Sequence, residues 1–157
     1  MEYHQIDPVY DKHSKILILG SFPSVKSRQI GFFYGHPKNR FWKVVAAVFK
    51  EDVPATIEEK KEMLLRNGVA LWDVVASCEI VGSSDSSIRN VRPNDIKKLI
   101  SETSISRIYV NGGTAMKLYR KYLEKQVGME ATVLPSTSPA NAAYSLDRLV
   151  EEWRIIK

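Results

Sequence analysis

The chain has 157 residues, which suits one domain spanning 1–157, and its 44% apolar share is ordinary for a protein with a substantial core. Lys and Arg total 23 against 18 Asp and Glu, and the resulting net charge of +5 favours polyanionic partners without by itself establishing nucleic-acid binding. The single cysteine, Cys78, excludes a disulfide framework, a multi-cysteine zinc site and a four-cysteine iron-sulfur cluster, and it suits a reducing cytoplasm. No apolar run approaches the roughly 18 residues of a membrane span, so no membrane association is expected.

In chain order, K-I-L-I-L-G (Lys15 to Gly20) is a short continuous apolar run stopped by glycine, as expected of a strand buried on both faces of a parallel sheet. A long loop follows. Phe41, Trp42, Val45, Val48 and Phe49 then recur at spacings of three and four, which places them on one face of a helix. Ile57 to Asn67 reads as a second helix, and Asn67-Gly68 resets the chain into the apolar strand V-A-L-W-D-V-V, ending near Asp73. Pro93, Asn94 and Asp95 open a helix through Leu99 and Ile100. Arg107 to Asn111 is the third strand, and Gly112-Gly113-Thr114 turns into a helix carrying Met116, Leu118, Tyr119 and Leu123. Ala131 to Leu134 is a fourth strand and Tyr144 to Ile156 a closing helix. Alternating strands and helices with right-handed crossovers predict an α/β fold, a three-layer α/β/α sandwich around a central four-stranded parallel sheet.

Ligands of open α/β sheets bind beyond the carboxyl ends of the strands, so the loops 21–39, 73–92, 111–114 and 135–141 are expected to converge. The first loop is rich in aromatic residues. A flipped base needs flat faces to stack on and polar groups to read its edge, and Phe22, Phe33, Tyr34, Gly20 and Ser21 offer both. Taken singly, the same aromatics read as core. Asn39 precedes the first amphipathic helix and has two readings. Asparagine is among the best helix caps, and an amide also positions water for a reaction whose transition state resembles an oxocarbenium ion. Asn111 ends the third strand, where its amide suits either bidentate reading of a base or the turn before Gly112-Gly113. The segment 77–89, small and polar around Asp85, is able to track the DNA backbone or contact the base, with a solvated loop the more ordinary reading. His36 could orient a phosphate or assist departure of the base, but a histidine before a helix-opening proline is more often structural, and His4 and His13 receive no role. No cluster has metal-ligand spacing, and neither a metal nor a cofactor is expected.

Four segments together resemble the uracil-DNA glycosylase superfamily, in particular its hypoxanthine-DNA glycosylase branch. They are L-G-S-F-P-S (19–24), Y-G-H-P-K-N-R-F-W (34–42), A-L-W-D-V-V-A-S-C (70–78) and L-P-S-T-S-P-A-N (134–141), and the likeness runs from Ile16 to the closing helix. The resemblance implies that Asn39, the asparagine of H-P-x-N, carries catalysis. It also implies that Ser136-Thr137-Ser138-Pro139-Ala140 varies the superfamily's H-P-S-P-L, in which histidine stabilises the departing base and leucine wedges the duplex. Ser136 and Ala140 stand in those two places. Ser136 and Ser138 remain able to bind phosphate or the base edge, and Asn141 or Tyr144 to fill the gap.

The expectation is a monofunctional glycosylase that flips a deaminated base out of DNA, hypoxanthine foremost, with Lys26, Arg28, Lys38 and Arg40 meeting phosphates. It would act as a cytoplasmic monomer. The alternatives are a uracil or mismatch-specific glycosylase, a catalytically silent nucleic-acid-binding α/β module, and a hydrolase of nucleoside-like small molecules.

Overall fold

The structure is a computed structural model and describes all residues from Met1 to Lys157. Burial on both faces along β2 (Ile16–Gly20) explains its unbroken apolar sequence. Ile16 and Ile18 join a core of 21 residues on one face of the sheet, while Leu17 and Leu19 join a core of 16 on the other. A strand covered on both sides has no polar face to present. β2 pairs in parallel with β3 (Val69–Asp73) and with β6 (Arg107–Asn111), and β6 pairs in parallel with β7 (Ala131–Leu134). The order is β3-β2-β6-β7, the expected four-stranded parallel sheet.

Helices cover both faces. The larger core receives α2 (Phe41–Val48), α3 (Ile57–Arg66) and α7 (Leu146–Trp153), and the smaller receives α4 (Ile96–Ser101), α5 (Gly113–Tyr122) and the short α6 (Glu124–Val127). Thr56, Asp95 and Ser145 each cap a helix by accepting from the backbone N–H three residues on, satisfying donors that the first turn leaves free. No helix is long and apolar enough to cross a membrane.

The second strand ends at Asp73 as expected, but other local readings change. The V-V that follows does not extend it: the chain breaks at Val74, and Val75–Glu79 forms β4 in a second, antiparallel sheet with β1 (Glu2–Tyr3) and β5 (Arg89–Pro93), in the order β1-β4-β5. The break has a hydrogen-bonding cause. Val74 N–H donates to Gly20 O and Val75 N–H to Ser21 O, while the Asn94 amide donates to the carbonyls of Asp73 and Val75. An apolar run does not reveal such a turn, because both sheets bury these valines. The segment 77–89 accordingly begins as strand, and Asp85–Ser87 forms a 3-10 turn. Pro93 closes β5 instead of opening a helix. Finally, the long first loop contains α1 (Val25–Ile30), capped by Ser24 and ended by Gly31 in the left-handed region at φ 81°.

Candidate active site

The carboxyl ends of the parallel strands surround a cavity of about 390 Å³, whose lining includes Gly20, Asp73, Asn111 and the Ser136–Ala140 loop. The segment that follows β2 contributes Ser21, Phe22, Phe33, Tyr34, His36 and Asn39, and Asp85 closes one side. The convergence expected of the four loops is therefore present.

Hydrogen bonds between loops build the Asn39 corner. Asn39 Oδ1 accepts from Phe41 N–H at 3.0 Å and from the Thr137 hydroxyl at 2.9 Å. The first bond satisfies a free donor at the start of α2, so Asn39 does serve the helix, from one position before its N-cap Arg40. With the carbonyl end occupied by two donors, the Nδ2 amide hydrogens are the part of Asn39 left without a protein partner. Thr137 also accepts from Asn111 Nδ2 at 3.0 Å and donates its N–H to Asn111 Oδ1 at 3.1 Å. Each end of the Asn111 amide thus holds Thr137, which is fully buried. Asn111, for which base reading and a turn role were both open, is bonded to Thr137 and through it linked to Asn39.

Arg40 is turned inward. Its guanidinium donates to the backbone carbonyls of Tyr144, Ser138 and Asn141, and its own N–H donates to Thr137 O at 3.1 Å. These bonds clamp the 137–144 loop onto the start of α2. Within that loop Ser136 Oγ accepts from Ser138 N–H, Ser138 Oγ from Ala140 N–H, and Asn141 donates to Ser136 O. Pro139 and Ala140 are exposed at its tip, and Lys38 and Lys26 are exposed beside the cavity. Arg28 lies over the Phe22 ring and donates to Gly82 O.

The aromatic residues divide. Phe33 is buried in the core, its carbonyl held by Trp42 Nε1, and Tyr34 stacks on Phe41 with centroids 4.1 Å apart. Phe22 is nearly buried and borders the cavity. The Tyr34 hydroxyl is buried without a hydrogen-bond partner. Burial and the nearby Asp73 charge push the phenol far above its ordinary range, which keeps it a donor.

One acidic residue of this cavity, Asp73, and one distant histidine escaped the sequence reading, whereas Asp85 lies in the segment read foremost as a solvated loop. Asp73 is 4% exposed, and its Oδ2 accepts from His4 Nε2 at 2.8 Å. Ile6 N–H donates to His4 Nδ1 at 3.3 Å, which places the ring hydrogen on Nε2. His4 reaches the site because β1 pairs with β4 immediately after Asp73, a contact 69 residues apart that no local pattern announces. Asp73 did carry a signal: a carboxylate inside an otherwise apolar run. Asp85 turns its carboxylate toward Ser21, which donates at 2.9 Å. Desolvation raises its pKa, the Ser21 bond opposes that, and Asp73 adds to the rise.

Against known families, residues 8–156 match the model of the uracil DNA glycosylase superfamily. The chain belongs to that superfamily. It is similar to the hypoxanthine DNA glycosylase of Methanosarcina acetivorans, 36% identical over 94% of this chain and 93% of that one. The protein of the same name from Methanosarcina barkeri is 31% identical over 90% and 89%. A solution NMR structure from Methanosarcina acetivorans, described as a candidate uracil DNA glycosylase, superposes with a TM-score of 0.82 at 35% identity, covering 96% of this chain and 93% of that one. Membership in the superfamily explains why chemistry-bearing loops gather at the strand ends. The corner of Asn39, Thr137 and Asn111 is built without Ser136 or Ala140.

Proposed function

We propose that the chain is a monofunctional DNA glycosylase that hydrolyses the N-glycosidic bond of a deaminated base, hypoxanthine foremost, and leaves an abasic site. The relatives named hypoxanthine DNA glycosylase, alike over nine-tenths of the chain, carry this reading. The base leaves the helical stack and enters the cavity, which is open to duplex DNA only after flipping. Phe22 supplies an apolar wall, and the exposed Lys38, with Lys26, faces phosphate. Asn39, its carbonyl fixed by Phe41 and Thr137, directs an amide hydrogen at a water oxygen and leaves a lone pair for the sugar C1′. It takes no proton. Because the glycosidic bond is largely broken before water adds, holding that water in line matters more than deprotonating it. The enzyme works as a cytoplasmic monomer on DNA and needs no metal.

A uracil preference is the second reading, favoured by the description of the similar NMR structure. The deciding experiment incubates purified protein with labelled duplexes bearing hypoxanthine, xanthine or uracil, with and without EDTA, then cleaves abasic sites with alkali. Hypoxanthine release unaffected by EDTA is expected. DNA binding without release of any base would instead make the protein a silent binding module, and release abolished reversibly by EDTA would overturn the metal-free mechanism.

A further inference from the structure

The segment from Val81 to Ser87 carries a single apolar side chain, the exposed Val81, and polar bonds hold it instead. Val25 N–H donates to Ser83 Oγ, the Arg28 guanidinium to Gly82 O, and Val81 N–H to Ser87 Oγ, so the segment is fastened to α1 and closed on itself. This sets Asp85 in the cavity wall, where the cavity meets a more open groove running past Gly112 and Gly113. Ser21, itself buried, donates to Asp85 Oδ1 at 2.9 Å, and Oδ2 accepts no hydrogen bond from the protein. The two carboxylates of the cavity differ in their neighbours. Asp73 is held by His4, whereas no Lys, Arg or His nitrogen lies within ion-pairing distance of Asp85. Asp73 of β3 faces it, as do Tyr34 and His36 from the first loop, and Arg28 of α1 is engaged at Gly82 O. A carboxyl group that is partly desolvated, without a cation and beside a second acid keeps its proton to higher pH. That is the property a general acid needs.

We propose that Asp85 is a catalytic residue, the general acid that protonates N7 of the departing hypoxanthine. This deepens the glycosylase reading and rests on it. As the C1′–N9 bond breaks, its electron pair moves into the purine, N7 takes the proton from Asp85 Oδ2, and neutral hypoxanthine leaves. The water held by Asn39 then adds to C1′ and gives up a proton, which returns Asp85 to its acid form. Ser21 fixes the other carboxyl oxygen, so the proton sits on the oxygen that faces the ligand. The device serves purines. Uracil has no second ring to carry such a nitrogen and departs as an anion, so Asp85 favours hypoxanthine at the bond-breaking step and leaves the reading of the base edge to other groups.

The test is single-turnover release of hypoxanthine from a deoxyinosine duplex, with enzyme saturating, followed between about pH 5 and pH 8. In the parent, release should fall as pH rises through the Asp85 pKa, because the proton donor is lost. Asp85→Asn keeps an acceptor for Ser21 and carries no ionisable proton. It should release hypoxanthine on the order of a hundredfold more slowly at the acid end, with the deficit closing as pH rises. His36→Gln should retain the parent's fall with pH, which assigns the titration to Asp85 and not to the imidazole in the same cavity. An Asp85→Asn profile parallel to the parent's, at whatever rate, makes Asp85 structural and overturns the inference while the glycosylase reading stands. So does a parent profile that does not fall with pH, or a fall that disappears in His36→Gln. Should Asp85→Asn fail to fold, the parent and His36→Gln profiles decide by those two criteria. If the parent releases no hypoxanthine at any pH, both readings fall.

Discussion

The Thr137 hydroxyl donates to Asn39 Oδ1 at 2.9 Å, joining loops 98 residues apart in sequence. Because Phe41 N–H reaches the same oxygen, the amide of Asn39 cannot flip without losing two bonds. Asn39→Ser keeps an acceptor for Phe41 N–H and loses the amide. We expect its melting temperature to stay close to the parent and single-turnover release of hypoxanthine to fall on the order of a hundredfold or more. Release at the parental rate would leave Asn39 a helix residue only and move catalysis elsewhere in the cavity.

Thr137→Val tests the positioning half of that corner. The substitution conserves shape but removes a donor to Asn39 and an acceptor for Asn111, at a cost of about 1–3 kcal/mol in a buried setting. Urea denaturation should register that loss. Hypoxanthine release should slow while affinity for undamaged duplex is unchanged, since the residue is fully buried. A parallel drop in DNA affinity would return Thr137 to the binding surface.

Lys38 and Arg40, adjacent in sequence, should behave oppositely. Lys38 is exposed, so Lys38→Gln should remove one phosphate contact and reduce the slope of log affinity against log salt by about 0.9. The Arg40 side chain donates to three backbone carbonyls. Arg40→Gln should leave the salt slope alone and destabilise the fold by about 2 kcal/mol, because bonds from a charged donor contribute about 1.5–3 kcal/mol each and a shorter amide replaces only part of them. Salt titrations of binding beside thermal melts distinguish the two. Equal slopes for the parent and Lys38→Gln would remove Lys38 from the interface.

Asp85 makes a prediction in pH. Its pKa is raised in the folded protein, so the native state holds a proton more tightly than the unfolded chain does. Its contribution is then most favourable below the ordinary carboxylate pKa and is lost as pH rises through the folded value. Neutral pH therefore carries a standing cost that Asp85→Asn removes, while Ser21 keeps an acceptor. Melts should show the variant more stable than the parent at pH 7, with the difference shrinking toward pH 3. A variant less stable at pH 7 would show that the Ser21 bond outweighs desolvation.

The parallel sheet was legible from local sequence because burial on both faces writes itself as short continuous apolar runs, as in Ile16 to Leu19 and Ile108 to Val110. Helix starts at Thr56, Asp95 and Ser145 carry cap residues whose chemistry is equally local, and the segments holding Asn39 and the 136–140 loop stood out as polar, glycine-rich or aromatic punctuation between those runs. What local pattern cannot hold is pairing at long range. Nothing near His4 announces Asp73, and nothing near Arg40 announces the carbonyls of Ser138, Asn141 and Tyr144. The division of labour between two asparagines and two aspartates also waited for the fold: Asn111 has a residue type suited to reading a base, yet the register of β6 and β7 brings Thr137 onto its amide, while that of β2 and β3 sets Asp73 opposite a glycine. Residue type determines which bonds a side chain is able to make, and only the tertiary neighbours determine which of them are already taken.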